Sequence, residues 1–273
     1  MSTFYFRTAS LTLIFALAPL ARASAVELGT VGAQAGPAIV RLSELDNNDK
    51  ESASGSGFLI REDGVVVTNH HVVADVDGHM VAVFKDGRKV DVVGVIADDE
   101  AHDLALVRIE GKGHPVLTLA DDTDVKAGMV VIALGSPLGF DQSLSSGIVA
   151  AVRDDYPADW KDRDESLRKK AGPLVQHTAA IAHGSSGSPL LNELGLVVGV
   201  NHSSFDNTLF FAAHVSALRA FIAKTDLTKK PRHLGPDVKR NLTISAAVFT
   251  LLLVAWFVAF RVPRRRRPRR ADA

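Results

Sequence analysis

MVAVFKDGRKVDVVGVIA, residues 80–97, is the stretch whose reading decides the fold. Two valine-rich runs flank Asp86-Gly87, and stiff β-branched side chains pack well on a pleated surface. Both central residues tolerate positive φ, so the spacing predicts two antiparallel strands joined by a type I′ turn. The same texture extends in both directions: GSGFLI (55–60), GVVVTN (64–69), DLALVRI (103–109), MVVIALG (129–135), SSGIVAAV (145–152) and GLVVGVN (195–201) are short apolar runs separated by turn residues. Regular strands with no helices between them predict an all-β sandwich or barrel rather than a parallel α/β sheet. Helical periodicity is clear only in HVSALRAFIAK (214–224), which predicts a closing amphipathic helix.

One segment interrupts this pattern. DDYPADWKDRDESLRKK (154–170) is dominated by charge and reads as an exposed loop, either a solvated excursion of no consequence or a mobile loop beside an active site. The chain of 273 residues is 47% hydrophobic, enough for a sizeable core. It has no cysteine, so disulfides cannot staple that core. The formal net charge of +0 conceals a division, because residues 26–228 hold 17 Lys or Arg against 29 Asp or Glu.

The two ends point to a membrane. Arg7, the apolar residues 9–20 and the small residues Ala21, Ala23 and Ala25 form a secretory signal, with cleavage expected after Ala25. Residues 242–260, LTISAAVFTLLLVAWFVAF, are 19 uncharged residues, close to the ~20 a helix needs to cross hydrocarbon. Seven arginines follow between Arg261 and Arg270. They should stay cytoplasmic and leave the body of the chain outside, and their place beside a span argues for lipid headgroups as their partners, not nucleic acid. The expected organisation is therefore a signal peptide (1–25), a globular domain (26–225), a linker (226–241), a transmembrane helix (242–260) and a basic tail (261–273).

Three stretches carry groups suited to nucleophilic catalysis, in the order His71, Asp103, Ser186. A serine hydroxyl is a poor nucleophile until a base removes its proton, so a histidine must come within hydrogen-bond reach. His71 ends a Val-rich run, and Asp103 begins the next one, where a buried carboxylate could hold the imidazole in the right tautomer. Ser186 lies between Gly184 and Gly187 in HGSSGSPLLN, where the backbone is free to turn sharply. No His pair has HExxH or similar spacing, so neither a catalytic metal nor any other cofactor is expected.

TNHHVV (68–73), HDLALVRI (102–109), LGSPLGFDQSLSSGIVAAV (134–152) and QHTAAIAHGSSGSPLLNELGLVVGVN (176–201) together resemble the trypsin-like serine peptidases of the HtrA (Deg) class, over roughly residues 36–220. The resemblance implies a chymotrypsin-like double β-barrel with its site in the cleft between barrels. It implies that His71, directly before the Val pair, is the general base rather than His70, that Asp103 is the orienting acid, and that Ser186 is the nucleophile. Backbone N–H groups of Gly184 and Ser186 would form the oxyanion hole. The expected reaction is hydrolysis of peptide bonds in polypeptides of the envelope or extracytoplasmic space, with quality control or regulated proteolysis as its setting. Oligomeric state does not carry over.

The departures from that family are His183, Ser185 and Ser188 around the nucleophile, none of which removes a catalytic group. Trypsin-like enzymes that select Lys or Arg carry an acid six positions before the nucleophile; here that position is Ala180, so small or medium apolar P1 side chains are expected. Asn201, His202 and Ser203 are expected to pair with the substrate backbone as an added strand. Only 48 residues follow Thr225, most of them linker, span and tail, so the PDZ domain such proteases usually carry is not expected. Two rival readings remain. A catalytically silent, membrane-anchored binding or sensing module could use the same fold. An α/β-hydrolase using Ser186 with Asp206 or Asp226 and His214 or His233 fails, because that fold needs helices between strands and a glycine where Ser188 stands.

Overall fold

The computed structural model describes residues 27–234, except 47, 77, 136–142, 164–169 and 206–208. The signal peptide, the membrane span and the basic tail expected from sequence lie outside the described residues. Among the described residues, no helix is long and apolar enough to cross a membrane.

Twelve strands close into two antiparallel barrels. The first contains β1 (Ile39–Leu45), β2 (Glu51–Arg61), β3 (Val65–Thr68), β4 (His79–Phe84), β5 (Lys89–Asp99) and β6 (Leu104–Ile109), in the order β1-β2-β3-β6-β5-β4. The second contains β7 (Val130–Gly135), β8 (Ser143–Arg153), β9 (Leu174–His177), β10 (Pro189–Asn192), β11 (Val197–Phe205) and β12 (Leu209–His214), in the order β10-β11-β12-β9-β8-β7. Among the described residues, closure leaves no long edge strand open to another chain. β3 is buried at every position because Val65, Val66 and Val67 pack alternately against two different clusters. One of those clusters runs between the barrels, joining Phe58, Leu104 and Leu106 to Ile132, Leu134 and Leu191.

Among the described residues, four α-helices sit outside the barrels: α1 (Leu28–Ala35), α2 (His70–Val73), α3 (Ala158–Arg163) and α4 (Val215–Lys224). The expected closing helix is α4. His214 caps it, its Nδ1 accepting the Ser216 N–H at 3.1 Å, and Leu218 and Phe221 enter the inter-barrel core.

The structure corrects three local expectations. The β4–β5 hairpin forms at Asp86-Gly87, but only Gly87 has positive φ, +83°, while its N–H donates to Phe84 O. The connection is therefore a type I turn closed by a left-handed glycine, not type I′. The 154–170 segment is not simply an exposed loop: it carries α3, and Tyr156 and Trp160 pack on Phe211 at ring separations of 5.4 and 6.0 Å. Residues 226–234, read as linker, lie on the first barrel instead. Arg232 exchanges both backbone hydrogen bonds with Val95, and Leu234 is buried in that barrel's core.

Candidate active site

His71 sits on α2, one turn beyond β3, and its imidazole is about half exposed. Asp103 stands just before β6 and is 98% buried, being only 2% exposed. Its φ of +54° is unusual for a side chain of this size. Asn69 steadies that backbone by donating its amide N–H to Asp103 O at 2.8 Å. The carboxylate then grips His71 twice: Oδ1 accepts the His71 backbone N–H at 3.1 Å, and Oδ2 lies 2.8 Å from Nδ1. With Nδ1 engaged, Nε2 is the ring nitrogen left for a reacting proton. Burial alone would raise the Asp103 pKa; the hydrogen bond and charge of His71, with smaller contributions from His202 and then Lys170, prevail and hold the carboxyl well below the usual range.

Ser186 comes from the other barrel. It lies in the turn before β10, half-buried, and shares a cavity of about 290 Å³ with His71, Gly184, His183 and Glu44. The structure thus brings His71 and Ser186 to one cavity, with Asp103 buried behind His71. Ser185 N–H donates to Ala182 O at 2.9 Å, closing a turn in which Gly184 has φ of +91°, the type II pattern. Among the described residues, neither the Gly184 nor the Ser186 N–H has an acceptor. Gly187 is obligatory: its φ is +85°, and a Cβ there would lie 2.2 Å from Ser56 O and 2.4 Å from Thr68 Oγ1.

Two bonds cross from β2 to hold this turn. Ser56 N–H donates to Ser186 O at 2.8 Å, and Ser56 Oγ donates to Gly184 O at 2.6 Å. Sequence reasoning missed Ser56, since a serine between two glycines in a strand looks like any other. It also missed Lys170, whose Nζ lies 2.8 Å from Asp103 Oδ1; Arg168 and Lys169 beside it are indistinguishable in the string.

The residues expected to bind substrate are placed differently from one another. Ala180 lines a separate cavity of about 140 Å³, with Ala133, Ser143, Ile181 and Ser185 among its walls. Asn201 is fully buried and turned inward: its N–H donates to Ser188 O, its C=O accepts from Gly187 N, and its side-chain amide reaches Ser188 Oγ at 3.0 Å. His202 is buried at a bulge in β11, edge-on to Tyr156, whose hydroxyl is 3.2 Å from Nε2. Burial pushes the His202 pKa down to about 4. The backbone of Ser203 pairs with Phe211 in the β11–β12 ladder, and its side chain lies outside the described residues. No cluster of metal-ligating side chains occurs among the described residues.

The comparisons with known proteins agree with this architecture. The chain is 40% identical over 151 residues to a probable periplasmic serine endoprotease, DegP-like, of Ectopseudomonas mendocina (strain ymp), covering 55% of this chain and 29% of that protein. It is 34% identical over 213 residues to the serine protease HTRA1 of Xenopus tropicalis, covering 73% of this chain and 44% of the other. The chain therefore spans less than half the length of these curated relatives. An HtrA-type protease solved with a tripeptide superposes with a TM-score of 0.61 at 25% identity, over 72% of this chain and 62% of the other. Residues 55–200 match the family described as the trypsin-like peptidase domain, and the chain belongs to it.

Proposed function

We propose that the protein is a serine endopeptidase acting on extracytoplasmic polypeptides, with His71 as general base, Asp103 as the acid that orients it and Ser186 as nucleophile. The observation that carries this reading is the 2.8 Å bond from Asp103 Oδ2 to His71 Nδ1 in the cleft that Ser186 lines. His71 Nε2 takes the Ser186 hydroxyl proton while Oγ attacks the scissile carbonyl. The N–H groups of Gly184 and Ser186 receive the resulting oxyanion, a contribution of about 3 kcal/mol per donor in comparable sites. The imidazolium then protonates the leaving amine, and water repeats the sequence to release the acyl group.

A polypeptide substrate suits the trough along Glu51, Ser52, Ala53 and Ser54, which continues from the Ser186 cleft past His183. Absence of an acid among the described walls of the Ala180 cavity favours a small or medium apolar P1 side chain. The signal-like residues 1–25, the apolar run 242–260 and the arginines after it support tethering to the membrane with the catalytic domain outside. The periplasmic naming of the DegP-like relatives points the same way.

The test is a fluorophosphonate probe applied to the full chain. Covalent labelling of wild type, lost in Ser186→Ala, is the expected result. A folded wild type that stays unlabelled across pH 5–10 would overturn the catalytic reading. Dominant cleavage after Arg or Lys in a peptide library would overturn the P1 assignment.

A further inference from the structure

The most highly charged stretch of the domain is fastened at both ends beside the His71–Asp103 pair. At its start, Tyr156 is 4% exposed, with its hydroxyl on His202 and its ring on Phe211. At its end, Lys170 Nζ meets Asp103 Oδ1 at 2.8 Å, and Ala171 N–H donates to Ala101 O at 2.7 Å, two residues before Asp103. The Lys170 side chain is 16% exposed and that of Asp103 3%. Water and salt screen such a pair far less than they screen a surface pair.

This contact completes the grip on the carboxylate. Oδ2 faces the His71 ring, while Oδ1 accepts both the His71 backbone N–H and the Lys170 ammonium. A carboxylate held at both oxygens cannot rotate away from the imidazole it orients. The ammonium also bears on charge, since a fixed cation beside Asp103 disfavours a second positive charge on His71.

Other groups near the pair do not supply this. His202, from β11, is neutral near pH 7 because burial lowers its pKa to about 4, and the Tyr156 hydroxyl is uncharged. On β5, Asp98 is bound to His70 Nδ1 at 3.1 Å and Asp99 to His102 Nδ1 at 2.7 Å, and Arg232 lies 3.6 Å from Asp98. Among the described residues, Lys170 is the only permanent cation at salt-bridge distance from Asp103.

We propose that Lys170 is a positioning residue: its ammonium clamps the Asp103 carboxylate and sets the pH above which His71 can accept the Ser186 proton. This rests on the triad reading given above. It makes Lys170 part of the catalytic apparatus although its ammonium meets Asp103 and not the reacting atoms.

The test uses the full chain as wild type, K170M and K170R, with melting temperature as the check on folding. Two titrations are recorded: the NMR signal of the His71 ring, assigned by its loss in H71Q, and the rate of Ser186-dependent fluorophosphonate labelling. Removing the cation stabilises imidazolium, so both midpoints should rise in K170M by about 0.5 pH unit or more. K170R should return them toward wild type. An unmoved His71 midpoint in folded K170M overturns the proposal, as does a moved ring titration with an unmoved labelling profile. If the ring midpoint moves while wild type never labels, the Lys170–His71 coupling stands, but the triad reading and the catalytic role of Lys170 both fall.

Discussion

The two barrels solve different problems with the same topology. The first presents its groups from well-fixed ground: His71 and Asp103 are joined by two bonds, Asn69 pins the strained Asp103 backbone, and the strand leading to them is buried at every position. The second presents Ser186 from a turn of small residues, shaped by positive φ at Gly184 and Gly187. In the proposed mechanism the acid–base pair must hold its direction, whereas the nucleophile and anion hole need backbone that can approach a substrate closely. The second barrel therefore gains its precision from outside, through Ser56 reaching across from β2 and through the close fit of Gly187 against Ser56 and Thr68.

The largest expected effect comes from removing either barrel's chemical contribution. Ser186→Ala should abolish probe labelling and lower peptidase kcat by about 10⁴ or more. Asp103→Asn should cost about 10⁴ by presenting the wrong imidazole tautomer. A double variant no worse than Ser186→Ala alone would establish that the two barrels act as one unit; additive losses would break that view. The measurement is kcat on an unstructured protein substrate, with melting curves to confirm folding.

Acid should separate the barrels next. In the second barrel, burial lowers the pKa of His177 and of His202 from 6.5 to about 4. Both are neutral when folded but take up protons when unfolded, so their stabilisation is complete above pH 6.5 and is lost as pH falls toward 4. Linkage makes this roughly 2 kcal/mol apiece between pH 7 and pH 5. In the first barrel, Asp63 is held down to about 2, chiefly by its hydrogen bond from Arg61. Its stabilisation is present above the ordinary carboxylate value of 3.8 and fades only as pH drops through about 2. Amide exchange at pH 5 should therefore show protection falling in β9 and β11 before β3 and β6. Simultaneous loss in both barrels would remove the distinction.

Gly187→Ala tests the fit between barrels. The added methyl meets Ser56 O, a backbone atom that cannot swing away, and the left-handed φ is strained for alanine. A loss of about 3 kcal/mol is expected, read from urea unfolding. A loss under about 1 kcal/mol would mean that the turn relaxes freely and that the barrels are less tightly registered than argued.

How much of this was legible in sequence follows the same division. Barrel strands such as GVVVTN and DLALVRI declare themselves because a buried strand must be apolar throughout, and His214 to Lys224 declares a helix by its period. The proposed triad positions stood out because catalysis demands three residue types in a recognisable local setting, and His71 does meet Asp103 and share a cavity with Ser186. The 154–170 segment misled because charge dominates its composition, while what decides its place is two aromatics, Tyr156 and Trp160, and one lysine among several. The inward turn of Asn201 was equally hidden. Its neighbours Gly199 and Val200 read as an ordinary strand, and only the approach of the 185–188 turn uses up its backbone groups. Such contacts join residues from 13 to 67 positions apart, and no local pattern encodes them.

Ser56→Ala is the smallest change and the sharpest probe of the comparison. It keeps the backbone bond from Ser56 N to Ser186 O and deletes only the hydroxyl bond to Gly184 O. A neutral hydrogen bond is worth about 1 kcal/mol to stability, so melting should shift by a few degrees at most. The bond fixes the carbonyl of Gly184, whose own N–H is the proposed oxyanion donor. Loosening it should lower kcat about tenfold and leave KM nearly unchanged, because the donor matters only once negative charge forms on the substrate oxygen. A matched rise in KM with constant kcat would instead assign Ser56 to substrate binding. The Ser56 hydroxyl would then have no part in shaping the oxyanion site of the second barrel.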